Sequence, residues 1–305
     1  MKRFIGPLLR TLPYVGSLYE QAKMQGAFPA GHYNSPIPNQ EEILAYTSSR
    51  KPLEMDLPDV KLNKENQFLL LKDFTKFYEE LPFPEKQERG CRYYYQNGWY
   101  SYSDAIFLYS FLRKHQPKRI IEIGSGFSSA VMLETIERFF SFRPEMTFVE
   151  PHPERLKELL TIHDSNRVKL VEKKIQEVPS EVFSTLESGD LVFIDSSHVL
   201  KCGSDLHFLM FEILPHLPTG IYVHFHDVFY PFDYPSEWLK EGRYWNENYF
   251  LRAFLSYNSE WSILFFNTYV AFAFGDFVKE HMPLCSKNPG GSLYIRREMR
   301  GLGNS

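Results

Sequence analysis

"RIIEIGSGFSSAVMLETIERFF", residues 119–140, runs from β-branched apolar residues through a Gly-Ser-Gly corner into a segment whose apolar positions recur at helical spacing. It predicts a short buried strand at 119–123 and a helix over 128–140. Glycine at such a corner turns the backbone sharply and lets a ligand approach the amides. From this stretch onward the pattern alternates. Short apolar runs at "RIIEIG", "MTFVEP", "VKLVEK", "DLVFIDSS" and "IYVHFHD" are separated by helical segments at 128–140, 153–161, 179–187 and 205–216. Strand and helix at such intervals imply right-handed crossovers and a parallel sheet covered on both faces. Two further runs, "WSILFF" and "YVAFAF", are split only by Asn267 and Thr268, too little for a helical crossover. Residues 261–274 are therefore expected to pair as an antiparallel edge hairpin. The fold class is α/β: a doubly wound, mostly parallel, seven-stranded sheet with a C-terminal antiparallel β-hairpin.

The chain before this stretch reads differently. "AFPAGHYNSPIPNQEE" is an extended loop, whereas 63–81 and 102–117 predict amphipathic helices, the second with Ser103 as N-cap and Pro117 beyond its end. The expected division is a helical, loop-rich extension over 1–100, a ligand-binding domain over 101–280 and a tail over 281–305. The first residues, 1–23, place basic side chains ahead of an apolar stretch broken by Pro7, Arg10 and Pro13. They read as a short amphipathic helix lying on the protein body or on a membrane surface. No apolar run approaches the roughly 20 residues needed to span a bilayer.

The formal net charge of -4 supplies no basic footprint, so nucleic acid is not an expected partner. Cys91, Cys202 and Cys285 are odd in number, far apart and without CxxC spacing. They read as free thiols in a reducing compartment, and the expected location is the cytoplasm. An aromatic content of 16% points to aromatic-lined clefts or heavy ring packing. Nothing in the sequence specifies an oligomeric state.

In an open parallel sheet, ligands bind at the carboxyl ends of the strands. Gly124 and Gly126 lie at that end of the first strand, but the third position of a dinucleotide fingerprint is Ser129. The second strand ends in Glu150, 28 residues beyond Glu122, where a carboxylate can accept both hydroxyls of a ribose. Together these features indicate a nucleoside ligand without a pyrophosphate at the helix N-terminus.

The Glu-x-Gly-Ser-Gly-x-Ser pattern of Glu122 through Ser128, with Glu150 behind it, resembles that of class I S-adenosylmethionine-dependent methyltransferases, a Rossmann-like family. The resemblance covers roughly residues 93–275. It implies that Gly124, Ser125 and Gly126 line the methionine part of S-adenosylmethionine, that Glu122 anchors the loop, and that Ser128 and Ser129 belong to the cofactor site. It also implies that Glu150 binds the ribose, that Pro151 and the "KKIQEV" segment flank the adenine, and that Asp195 completes the cofactor site.

The fourth and fifth strands end in Asp195 and Asp227, with His198, His224 and His226 nearby. Two strand-end carboxylates suit Mg²⁺ or another divalent ion. The pattern is similar to catechol-type O-methyltransferases, although Val228 stands where those enzymes carry a further oxygen ligand. His198, His226 and Asp227 are the expected catalytic residues, and Asp195 and Asp227 the expected metal ligands. His224, in mid-strand, reads as a core residue. The aromatic stretch 228–255 reads as a substrate wall or as cover, with Arg243 open to an anionic group and Trp238 and Tyr249 read as packing. The segment 91–105 reads as lid or packing. The expected function is methyl transfer from S-adenosylmethionine to a small-molecule hydroxyl. The competing readings are a nucleotide-dependent oxidoreductase and a catalytically silent binding protein of the same fold.

Overall fold

The computed structural model describes residues 26–298, together with Val15, Ser17 and Leu18. But for those three residues, the helix expected over 1–23 lies outside the described residues. The elements in chain order are α1 (Gln40–Ser48), α2 (Lys64–Tyr78), α3 (Ser103–His115), β1 (Arg119–Ile123), α4 (Phe127–Phe139), β2 (Glu145–Val149), α5 (Glu154–Leu159), β3 (Val168–Val171), β4 (Leu191–Ile194), α6 (Asp205–Phe208), β5 (Tyr222–Phe225), α7 (Ser236–Lys240), α8 (Glu247–Leu255), β6 (Trp261–Phe266), α9 (Asn267–Ala273), α10 (Gly275–His281) and β7 (Leu293–Arg297). The sheet has seven strands in the order β3-β2-β1-β4-β5-β7-β6. The first five strands are parallel, and β7 runs antiparallel to both β5 and β6.

The central strands are apolar on both faces because helices cover both. Ile120, Phe148 and Phe193 point into a core shared with α3 and α4, while Ile121, Val149 and Val192 point into the opposite core. This alternation puts Glu122 on the α3–α4 side, where it is fully buried. The outer edge of β6 is closed by side chains flanking and within α2. Asn63 Nδ2 donates to the Ile263 carbonyl at 3.1 Å, and Gln67 Oε1 accepts from the Phe266 amide at 2.8 Å. An edge strand covered this way is not left open for pairing with another chain.

Several expectations need correction. The antiparallel C-terminal pair exists, but its second strand is β7 and not 269–274; residues 267–273 form α9, and α10 follows. A short apolar run does not separate a buried strand from a buried helix by periodicity alone, and Tyr269 and Val270 are buried on the helix. β7 lies inside the stretch expected as a tail. Its apolar residues, Leu293 to Ile295, lead straight into Arg296 and Arg297, so no long apolar run marks it in the sequence. The helix expected over 179–187 is only a 3₁₀ turn at Ser180–Phe183, following one at Ile175–Glu177. Ser103 is not an N-cap: Tyr102 holds that position, and the Ser103 hydroxyl donates to the Cys285 carbonyl at 2.9 Å.

The chain divides into two compact units. One comprises the described residues up to Pro52 with Pro235–Tyr244, and the other Leu53–Tyr234 with the chain from Trp245 onward. In the smaller unit Arg50 donates to Ser236 at 2.9 Å, and Arg243 pairs with Glu241 and stacks over Trp238. α2, expected in the N-terminal extension, belongs to the larger unit, which holds the whole sheet.

Candidate active site

The β1–α4 corner is built around Gly124. Its φ is +80°, and a Cβ there would lie 1.7 Å from the Asp195 carbonyl oxygen, so only glycine fits. Beneath the corner, Glu122 accepts from the Ser128 hydroxyl at 2.6 Å and from that of Ser129. Ser129 Oγ in turn accepts from the Gly126 amide at 3.0 Å. Burial pushes the Glu122 carboxyl up to about 8 although the serines favour its charged form. Glu122 is thus an internal pin for the first turn of α4. Ser129, where a dinucleotide site would have glycine, belongs to the same pin.

At the tip of β2, the two oxygens of Glu150 accept from the Ser125 amide at 3.0 Å and the His152 amide at 2.7 Å. The carboxylate is thereby held facing a cavity of about 490 Å³. Gly124, Pro151, Lys174, Ile175, Gln176 and Asp195 line it with Glu150, and Ser197, Lys201 and Asp205 line its other side. The size lies in the range of small-ligand sites, about 300–1,000 Å³. Of the expected cofactor residues, Gly124, Glu150, Pro151 and Asp195 reach this cavity. Ser125 meets Glu150 through its amide, Gly126 lies under the stem of Arg155, and Glu122, Ser128 and Ser129 form the buried pin beneath the corner without lining the cavity.

Asp195 joins the cavity to a second group of side chains. His198 Nε2 lies 3.5 Å from Asp195 Oδ1 and 3.6 Å from Asp227 Oδ2. His226 Nδ1 lies 3.3 Å from the same Asp195 oxygen and 3.9 Å from Asp227 Oδ1. All three expected catalytic residues therefore converge with Asp195. Burial works against charge here, yet His226 and His198 hold the Asp195 carboxyl well below its usual range. The flanking carboxylates win over burial at both rings, raising His198 to about 10 and His226 well above its ordinary value. Burial pushes the Asp227 carboxyl up. His224 stands apart: it is buried, stacked on Phe193 at 3.9 Å, without a hydrogen-bond partner on either nitrogen, and burial keeps it neutral.

The residues that hold this group were not foreseen. His198 and Asp227 both occupy left-handed backbone, with φ of +58° and +57°, a conformation costly for residues with a Cβ. The start of α8 supports both. The Asn246 and Glu247 amides donate to the His198 carbonyl at 3.1 and 3.3 Å, using N–H groups that a helix N-terminus leaves unpaired. Asn246 exchanges two hydrogen bonds with the Leu200 backbone, Glu247 Oε2 lies 2.8 Å from His198 Nδ1, and the Trp245 ring packs tilted against the imidazole at 4.4 Å. Asn248 accepts from the Phe229 amide at 2.8 Å and donates to the Asp227 carbonyl at 3.1 Å. Behind His226, Asp104 lies 3.5 Å from Nε2 and accepts from Ser292, Asn267 and the Gly291 amide. A Cβ on Gly290 would strike that carboxylate at 2.4 Å. Locally, Glu247 looks like an ordinary acid in a helix first turn, and Asp104 likewise. Only the tertiary fold brings them to the histidines.

Residues 121–228 match the family model described as a methyltransferase domain. An Archaeoglobus fulgidus protein described as uncharacterised is 32% identical over 167 residues, which span 53% of this chain and 75% of that protein, so the two belong to one family. Among solved structures the chain is similar to a methyltransferase of Podospora anserina bound to S-adenosylhomocysteine, with a TM-score of 0.42 and 17% identity over 86% of this chain and 98% of that one. It is also similar to the O-methyltransferase TomG of Streptomyces achromogenes in complex with S-adenosylmethionine, with a TM-score of 0.39 and 14% identity over 85% and 96% of the respective chains. The matched domain runs from β1 through the end of β5, and β7 is inserted antiparallel between β5 and β6. Over residues 121–228 this chain therefore carries a methyltransferase domain.

Proposed function

We propose that the enzyme methylates a hydroxyl oxygen of a small-molecule acceptor. The observation that carries this reading is the meeting at Asp195 of a nucleoside-sized cavity with a cluster of two imidazoles and a second carboxylate. S-adenosylmethionine supplies an electrophilic methyl group on a sulfonium. In this reading Glu150 takes the ribose hydroxyls, Pro151 and Lys174–Gln176 border the adenine, and Gly124, Ser125 and Gly126 cradle the methionine part. The acceptor hydroxyl lies against the cluster. His198 and His226 orient its oxygen, and Asp227, whose carboxyl burial pushes up, takes the proton as the methyl group arrives. Positioning carries the rest of the rate, because in-line transfer needs the oxygen fixed opposite the sulfonium. We further propose a cytoplasmic enzyme, in keeping with the three free cysteines.

The test is S-adenosylhomocysteine release from purified enzyme offered S-adenosylmethionine with phenols, catechols, sugars and hydroxy acids, beside amines and thiols of matching skeleton. Turnover confined to hydroxyl compounds, and lost in Asp227→Asn, is the expected result. Turnover with amines or thiols alone overturns the reading.

A further inference from the structure

We infer that Asp104 is a positioning residue for methyl transfer: its Oδ2 anchors Nε2 of His226 and so fixes how that ring meets the acceptor. The inference rests on the reading above, in which His226 orients the acceptor oxygen.

The two oxygens of this buried carboxylate have separate tasks. Oδ1 accepts from the Ser292 hydroxyl at 2.6 Å, the Gly291 amide at 2.9 Å and Asn267 Nδ2 at 3.1 Å. Three neutral donors fill that oxygen and hold the carboxylate in place. Oδ2 faces His226 Nε2 at 3.5 Å, and no lysine or arginine pairs with Asp104 among the described residues. Burying a carboxylate is costly without a partner, and the imidazole supplies one. A carboxylate brings no proton to the contact, so Nε2 carries the hydrogen between them.

The surroundings are shaped to keep this contact. Gly290 has φ of +73°, and a Cβ there would lie 2.4 Å from Oδ1, so the lead-in to β7 closes on Asp104 only with glycine. The Tyr100 ring packs against the His226 ring at 4.9 Å. Asn97 accepts from the Tyr100 amide at 2.8 Å and donates to its carbonyl at 3.0 Å, and the Tyr93 hydroxyl donates to the same carbonyl at 2.8 Å. This end of the 91–105 segment thus buttresses the histidine. At the other ring nitrogen, Nδ1 lies 3.3 Å from Asp195, which lines the cavity. The Asp195 side chain is 31% exposed and that of Asp104 5%. Asp104 is therefore the fixed end of the grip, and Asp195 the end that meets ligand. Asp104, Asn267 and Gly290–Ser292 all lie outside the matched domain of 121–228, which supplies the histidine.

The division of the carboxylate separates a positioning role from a structural one. Asp104→Asn keeps an oxygen for the three donors, which hold the amide that way round, and replaces Oδ2 by an NH₂ that cannot accept from Nε2. Ser292→Ala weakens the structural half alone. The full chain labelled with [¹⁵N]histidine is followed by NMR, with the His226 ring signals assigned through His226→Gln, beside urea unfolding of each variant. Wild type should show a slowly exchanging Nε2–H. Asp104→Asn should unfold near the wild-type midpoint, with that proton lost or exchanging several-fold faster. Ser292→Ala should unfold earlier and keep the proton. With the acceptor found as above, Asp104→Asn should lower kcat about a hundredfold and leave the acceptor KM within about threefold. An unchanged Nε2–H in folded Asp104→Asn, or an unchanged kcat, overturns the assignment. Should Asp104→Asn fail to fold, the wild-type spectrum decides: a protected Nε2–H supports it, and a bare or freely exchanging Nε2 overturns it. The spectra need neither methyl donor nor acceptor. A failed acceptor search leaves them decisive, and a failed spectrum leaves the methyl-transfer reading standing.

Discussion

Glu122 and Glu150 stand at the tips of adjacent strands, yet their surroundings give them opposite tasks. Glu150 faces the cavity with both oxygens positioned by backbone amides. Replacing it by alanine should weaken S-adenosylhomocysteine binding by about 1–3 kcal/mol, the cost of leaving ribose hydroxyls poorly paired, with the melting curve little changed. Calorimetric titration of wild type and variant checks this. Glu122 faces inward, and burial raises its carboxyl from the ordinary 4.5 to about 8. A group raised on folding contributes stability that is complete below its unfolded value and is lost as pH rises through the folded one. Wild-type stability should therefore fall between pH 4.5 and about 8, on the order of 1 kcal/mol per pH unit, and level off above. Glu122→Gln should flatten that slope in urea unfolding followed across the same window. Both acids could be picked out in sequence as strand-tip carboxylates. Which one meets solvent and which is sealed depends on the side chains that pack above them.

Among elements, α8 does most to shape the site. Its first residues tie the loop after β4 to the loop after β5, through Asn246 and Glu247 on one side and Asn248 on the other. Asn248 is fully buried, and Asn248→Ala removes its hydrogen bonds to the Phe229 amide and the Asp227 carbonyl. The expected cost is about 1–3 kcal/mol in urea unfolding, since both groups are only part-buried. Turnover should fall more steeply than S-adenosylhomocysteine affinity, because the Glu150 side of the cavity is untouched. The strands β1 to β5 could be read from periodicity because each is a short apolar run bounded by turn residues. α8 could not be recognised as a clamp, since "WNENYF" shows only a helix start and nothing of the loops it grips. The confusion of α9 with a strand has the same root. α9 and β7 both carry short buried apolar runs, and the local pattern does not say which run pairs.

At the scale of the molecule, the parallel sheet gathers the carboxyl ends of β1, β2, β4 and β5 on one side, and the cavity proposed for the cofactor lies there. Cys202 reports on that cavity from outside. It is exposed and sits between Lys201 and Gly203, both of which line the cavity, whereas burial pushes the Cys285 thiol up to about 12. A thiol-disulfide reagent should modify Cys202 within the folded protein and reach Cys285 only on unfolding. Saturating S-adenosylhomocysteine should slow the Cys202 reaction several-fold, and mass spectrometry of the labelled peptides would show it. The direct test of the whole account is a crystal structure with S-adenosylhomocysteine bound. The account predicts ribose hydroxyls within hydrogen-bonding distance of Glu150, adenine between Pro151 and Gln176, and the sulfur at the Asp195 end, facing His198 and Asp227. A ligand lying outside this cavity, or reversed so that adenine meets Asp195, would contradict it.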